Sequence, residues 1–146
     1  MMEHRLSERL TRYWDTLRKD LPMPHFSHFN ASAIDDIWQQ CLLFTVAPEV
    51  ENQPYALSFY QIGEGLRGLY GSDMLGRNFN STQRHFQGAA IVRRVGEVIA
   101  NPSPVNDMGQ FVNTRSHVVK YRSCLLPFGH DKQVSHVITG LSWREF

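Results

Sequence analysis

Seven histidines and two cysteines are the side chains in this chain best suited to metal or nucleophilic chemistry. His25 and His28 stand three apart, but they fall in a polar, irregular stretch with no H-E-x-x-H and no cysteine pair to complete a ligand set. His117 and His136 lie in neighbouring strand-like segments and read as cross-strand partners. His85 opens a long helical pattern. With Asp73 or Tyr121 as its orienter it would make the smallest acid–base pair available, although no spacing demands one. Cys41 and Cys124 sit inside apolar runs, where a thiol behaves as a small hydrophobe; two distant cysteines make neither a disulfide framework nor a zinc signature. No G-x-S-x-G occurs. Asp35 and Asp36 are adjacent at a helix start, so they point to different faces and serve capping chemistry. Gly63-Glu64-Gly65-Leu66-Arg67-Gly68 spells G-x-G-x-x-G, but His85 stands where a dinucleotide site needs an acid, and antiparallel-looking strands follow. The residues therefore define no catalytic constellation and no metal site.

The elements that would position these groups run helix, two strands, short helices, long helix, three strands. Leu6, Leu10, Tyr13, Trp14, Leu17 and Leu21 recur at spacings of three and four, which predicts an amphipathic helix from Glu3 to Leu21, stopped by Pro22 and Pro24. That stripe can lie on the chain's own sheet or pair with a second subunit. Ser32 is a candidate cap for a short helix, Ala33 to Gln40. Strands are predicted at Cys41 to Val46 and Tyr55 to Ile62, joined by an acidic hairpin loop from Pro48 to Pro54. Five glycines between Gly63 and Gly76 mark short helical turns, and Thr82 to Ile99 reads as a long helix ended by Asn101-Pro102. Pro104 to Asn113, Ser116 to Leu126 and Gln133 to Trp143 read as strands, with turns at Thr114-Arg115 and from Pro127 to Asp131.

With 146 residues, one domain is expected, preceded by the helix and Pro-rich turn of residues 1–24, so that residues 25–146 form the domain proper. A net charge of +1 and 12% aromatic residues exclude a disordered chain. No apolar run reaches the ~18–20 residues that span a bilayer, and the mixed charges of the first twenty residues are not those of a secretory signal. With its free thiols, the chain reads as cytoplasmic. None of the fifteen basic residues falls between Leu21 and Leu66, and the best basic cluster, Arg67, Arg77, Arg84, Arg93 and Arg94, comes with no nucleic-acid-binding motif. Those arginines read as solvated helix faces, so neither nucleic acid nor membrane is an expected partner.

Tyr13-Trp14-Asp15-x-Leu17-Arg18 with Leu21-Pro22, then Phe29-Asn30-Ala31-Ser32-Ala33-Ile34, Leu42 to Val46, and Leu57 to Leu66 form an ordered series. It continues through Leu69-Tyr70-Gly71-Ser72-Asp73-Met74-Leu75-Gly76-Arg77, Tyr121 to Pro127 and Val137 to Trp143. The series resembles the alphaproteobacterial PAS_5-type PAS domain family, a divergent branch of PAS sensors, over Arg12 to Trp143. The segment ending Gly76-Arg77 resembles that family's G-x-D-L-T-G-R, and Tyr121 to Pro127 its R-x-L-L-P strand. Ala31 and Ser32 stand where the family often has proline, and Met74-Leu75 replace Leu-Thr.

The resemblance implies an α+β fold: a five-stranded antiparallel sheet in the order 2-1-5-4-3, helices on one face, and an N-terminal amphipathic flanking helix. It implies a sensory or regulatory module rather than an enzyme, working through a signalling protein partner as a homodimer, with a small ligand as an additional option. The family brings no shared cofactor residues. The expected pocket lining is Tyr60, Tyr70, Met74, Phe79, His85 and Phe86, and the expected dimer contacts are Leu6, Leu10, Tyr13, Trp14 and Leu17. Haem would need His85 as axial ligand, and flavin photochemistry in PAS relatives uses a helical cysteine, so neither is expected. A cone-shaped α+β enzyme or ligand carrier built on His85 and Asp73 is the alternative.

Overall fold

The computed structural model describes residues 4–47, 56–66, 78–80, 94–112 and 116–146. Helix α1 (His4–Arg18) is followed by 3₁₀ turns at Phe26–His28 and Ala31–Ile34 and by the short helix α2 (Asp35–Trp38). The strands are β1 (Cys41–Ala47), β2 (Ala56–Ile62), β3 (Asn78–Asn80), β4 (Val105–Val112), β5 (Val118–His130) and β6 (Gln133–Glu145), with helix α3 (Val95–Ala100) before β4. They form one antiparallel sheet in the order β3-β2-β1-β6-β5-β4. Its five long strands have the expected 2-1-5-4-3 order, and the three-residue β3 is added on the edge beside β2.

Local chemistry moves several boundaries. α1 stops at Arg18, because Lys19 adopts a left-handed conformation (φ 54°). Leu21 therefore leaves the apolar stripe and is exposed. The Asn30 side chain, not Ser32, makes the cap, accepting the Ser32 N–H at 3.0 Å. The turn expected from Pro127 to Asp131 is strand up to His130, and only Asp131 and Lys132, both with positive φ, turn the chain. Pro127 is tolerated there because β4 pairs with β5 only as far as Leu125. The Pro127 carbonyl points to that open side and accepts Trp14 Nε1–H at 2.6 Å, so the donor that proline lacks would have met no strand. The Pro48 to Pro54 loop and most of the Thr82 to Ile99 helix lie outside the described residues. Within that predicted span the described helix is α3, with Val95 and Val98 buried.

Residues directly opposite in the register share a face, and faces alternate along each strand. Cys41, Gly140 and Cys124 form one row across β1, β6 and β5. α1 lies on that face: a Cβ at Gly140 would sit 2.2 Å from Leu10 Cδ1, and Thr11 Oγ1 lies 3.7 Å from Cys124 Sγ. Leu6, Leu10 and Trp14 are thus buried inside the chain, with Tyr13 and Leu17 packed against the same core. Of the two expected uses of the stripe, it covers the chain's own sheet. The row of small residues on β1, β6 and β5 leaves a trough that the leucines of α1 fill.

Candidate functional site

The opposite, inner face carries Leu42 and Phe44 from β1, Val137, Thr139 and Leu141 from β6, Val119, Tyr121, Ser123 and Leu125 from β5, and Asp107 from β4. The register makes Asp107, Ser123 and Leu141 one row and Leu125 and Thr139 the next, so Ser123 and Thr139 are diagonal neighbours. α3 borders this face: Arg94, just before it, places Nε 3.4 Å from the buried Asp107 carboxylate and Nη1 2.7 Å from Glu97. The inner face is mostly apolar, yet Ser123 Oγ and Thr139 Oγ1 are both buried and have no hydrogen-bond partner among the described residues. A buried hydroxyl left unpaired costs about 1–3 kcal/mol, so two on one face make a polar patch directed at whatever covers it.

The expected pocket lining is only partly visible. Tyr60 is 58% exposed. It is the extra residue of a β-bulge, since Leu43 pairs with Gln61 while Phe44 pairs with Phe59. Phe79 stands opposite Leu57 in the β2–β3 register. Tyr70, Met74, His85 and Phe86 lie outside the described residues, as does Asp73. Tyr121, the other candidate orienter for His85, is buried on the inner face, its hydroxyl 2.8 Å from where a Cβ on Gly109 would stand. Ser123 and Thr139 were not singled out from sequence. The signal was a serine and a threonine at inward positions of otherwise apolar strands.

Neither cysteine belongs to this face. Both thiols lie under α1, where burial pushes Cys41 up to about 12, helped by the nearby Cys124, and burial pushes Cys124 up to about 11 against the lowering contact with Thr11. They are protonated and inert at neutral pH. The G-x-G-x-x-G stretch is also structural where it is described. Gly63 donates its N–H to Cys41 O at 2.7 Å and Gly65 to Gln39 O at 3.0 Å, so these amides are not offered to a phosphate. Of the arginine cluster, Arg94 is described and it is paired with acids. Among the described residues no group of three or more His, Cys, Asp or Glu could hold a metal ion, and no helix is long and apolar enough to cross a membrane.

No curated protein matches the chain. Among solved structures it is similar to a light-oxygen-voltage domain studied with a flavin analogue, at 14% identity and a TM-score of 0.52, over 79% of this chain and 82% of that one. It is also similar to an RNA-binding light-oxygen-voltage receptor, at 15% identity and a TM-score of 0.46, over 84% of this chain but 35% of the receptor. VqmA of Vibrio cholera, in a complex with ligand and DNA, matches at 15% identity and a TM-score of 0.47, over 82% of this chain and 52% of that protein. At these identities the likeness concerns the fold. The PAS domain family model matches residues 2–142, nearly the whole chain. This chain belongs to the PAS domain family.

Proposed function

We propose that this chain is a sensory or regulatory PAS module that takes a small ligand against the inner sheet face and passes the signal on through contact with a protein partner. The observation that carries the reading is the pair of buried hydroxyls without a partner among the described residues, Ser123 Oγ and Thr139 Oγ1, in a mostly apolar surface. A ligand with an apolar body and one or two hydrogen-bonding groups complements such a surface. Tyr70, Met74, Phe79, His85 and Phe86 remain the proposed pocket lining. For output, Met108 is exposed midway along β4, and Val112 and Phe146 are exposed large apolar side chains at the end where β4, β5 and β6 meet. Val112 pairs with Val118, whose carbonyl accepts the Phe146 N–H, so the latter two are held together. Clustered exposed apolar residues of this kind fit a protein contact.

A flavin that forms a cysteine adduct does not fit this chain's described residues, because Cys41 and Cys124 both face α1 on the far side of the sheet. The proposed ligand therefore acts by occupancy and hydrogen bonding.

The test is a thermal-shift screen of small polar–apolar compounds, followed by titration of any hit into Thr139→Val and Ser123→Ala. A ligand seated on the inner face should bind each variant roughly 5–20-fold more weakly, the loss of one hydrogen bond. A hit whose affinity neither substitution changes would place the ligand elsewhere and overturn the reading.

A further inference from the structure

His25 and His130 are 105 residues apart in sequence, yet His25 Nε2 and His130 Nδ1 are 3.0 Å apart. The backbone holds them there. Gly129 N–H donates to Pro24 O at 3.0 Å, so each histidine directly follows a residue of that hydrogen-bonded pair. Met23 is buried beside it, and a Cβ on Gly129 would lie 2.9 Å from Met23 Cε and 1.9 Å from Gln133 O, so only glycine lets the segment after α1 close on the β5–β6 hairpin. The two-residue turn at Asp131 and Lys132, with φ of 49° and 67°, fixes His130 opposite Gln133.

The rings meet bent away from the line of a straight N–H···N bond. A straight N–H···N bond of this length, with each nitrogen about 1.15 Å from its ring centroid, would hold the centroids about 5.3 Å apart. They are 4.6 Å apart, at an interplanar angle of 70°. If instead both lone pairs converge on one ion at the usual metal–imidazole distance of about 2.05 Å, the 3.0 Å separation corresponds to an N–metal–N angle of about 94° and a centroid separation of about 4.7 Å. The observed value agrees with convergence. The Asp131 carboxylate lies 3.1 Å from His130 Nε2, which favours the tautomer with its proton on Nε2 and leaves the Nδ1 lone pair to the ion, the carboxylate–histidine arrangement of metal sites.

We infer that His25 Nε2 and His130 Nδ1 form a two-imidazole site for a late divalent transition metal with right-angle coordination, Ni(II) or Cu(II), with Asp131 orienting His130. Imidazole suits these ions, and near-90° angles are those of square-planar or octahedral centres rather than tetrahedral zinc. His130 and Asp131 are open to solvent, so water completes the coordination sphere. The only other charged group in the turn is Lys132, and His28 stacks on His25 with centroids 6.0 Å apart. Occupancy would staple the segment leaving α1 to the β5–β6 hairpin. Spacing in the sequence points to His25 with His28, which is why the pair with His130 emerges only from the fold.

The experiment is titration of NiCl₂ into untagged, chelator-stripped protein, followed by calorimetry and by histidine ring NMR signals, which bound paramagnetic Ni(II) broadens. One equivalent should bind, broadening the His25 and His130 ring signals first. His25→Ala and His130→Ala should each weaken binding at least tenfold, and Asp131→Asn by a few-fold, while His117→Ala at the other end of β5 should leave it unchanged. Circular dichroism confirms that these surface variants fold. Absence of binding, broadening centred on other histidines, or equal affinity in His25→Ala and wild type would overturn the assignment.

Discussion

The sheet's two faces come from alternate residues of the same strands, but they differ in how their polar atoms are treated. Under α1, contacts are matched one to one: Leu10 occupies the space over Gly140, Trp14 Nε1–H reaches Pro127 O, and Thr11 lies against Cys124. Farther along the same face, Phe26 stacks on His136 with centroids 3.6 Å apart, and Phe29 packs against Trp38 and Phe128. Among the described residues, only Ser142 on that face is a buried hydroxyl without a partner. The inner face instead places Ser123 and Thr139 on diagonal positions, both without a partner among the described residues, with Asp107 opposite Ser123. A face optimised only for stability would carry alanine and valine at those positions. The contrast separates a face that holds the domain together from one left chemically incomplete.

The comparison would break most visibly at Leu10. Its side chain is fully buried, so Leu10→Ala should destabilise the monomer by about 2–5 kcal/mol, read by urea denaturation. If α1 served another subunit instead, the loss would vary with protein concentration and the isolated monomer would be unaffected. Protein dilution across the denaturation series distinguishes the two.

His136 sharpens the same face. Burial beneath Phe26 pushes its pKa below the ordinary histidine value. In the unfolded chain the imidazole takes up a proton first, so its contribution to stability is complete above the ordinary value near 6.5 and is lost as pH falls through it. The ring is only half-buried, so solvent screening leaves a fraction of the ~1.4 kcal/mol per pH unit that a full proton difference gives. His136→Phe keeps a ring against Phe26 and removes the titration. Its stability difference from wild type should therefore shift in the variant's favour between pH 7 and 5. A difference that does not change over that range would contradict a depressed pKa.

On the inner face the sign reverses. Thr139→Val is nearly isosteric and removes an unpaired hydroxyl, so without ligand it should leave stability unchanged or raise it by up to about 1 kcal/mol. A loss greater than about 1 kcal/mol would show that Thr139 is already hydrogen-bonded within the chain, and the difference between the faces would disappear.

Local patterns made much of this legible. The three–four spacing of Leu6, Leu10, Tyr13, Trp14 and Leu17 located α1, composition and turn residues located five strands along the chain, and the family resemblance implied their order in the sheet. Partner choice was not legible. An apolar stripe fits a sheet or a second subunit equally well until Gly140 is seen to leave room for Leu10. Pro127 and Gly129 are turn-forming residues, but β6 overrides them by pairing with β5 from Val119 to His130. The site was harder to read, because a buried serine matters only when its partners can be counted, and His25 meets His130 only through the Gly129–Pro24 hydrogen bond.

The smallest effect belongs to the contact that looks strongest on the surface. Arg9 grips Asp36 through both guanidinium nitrogens, with Nη2 2.9 Å from Oδ1, tying α1 to the first turn of α2. The hydrogen bond from Arg9 holds the Asp36 carboxyl below its ordinary value, so any stabilisation is present above that value and disappears as pH falls through it. Both side chains are well exposed, and such pairs contribute little once solvent and salt screen them. Asp36→Asn should therefore leave the denaturation midpoint within measurement error at 0.15 M salt, with any difference confined to low ionic strength. A clear, salt-independent loss would mean that α1 is held on the sheet by this ion pair as well as by Leu10 and Trp14, and that the packed face depends on its charged rim.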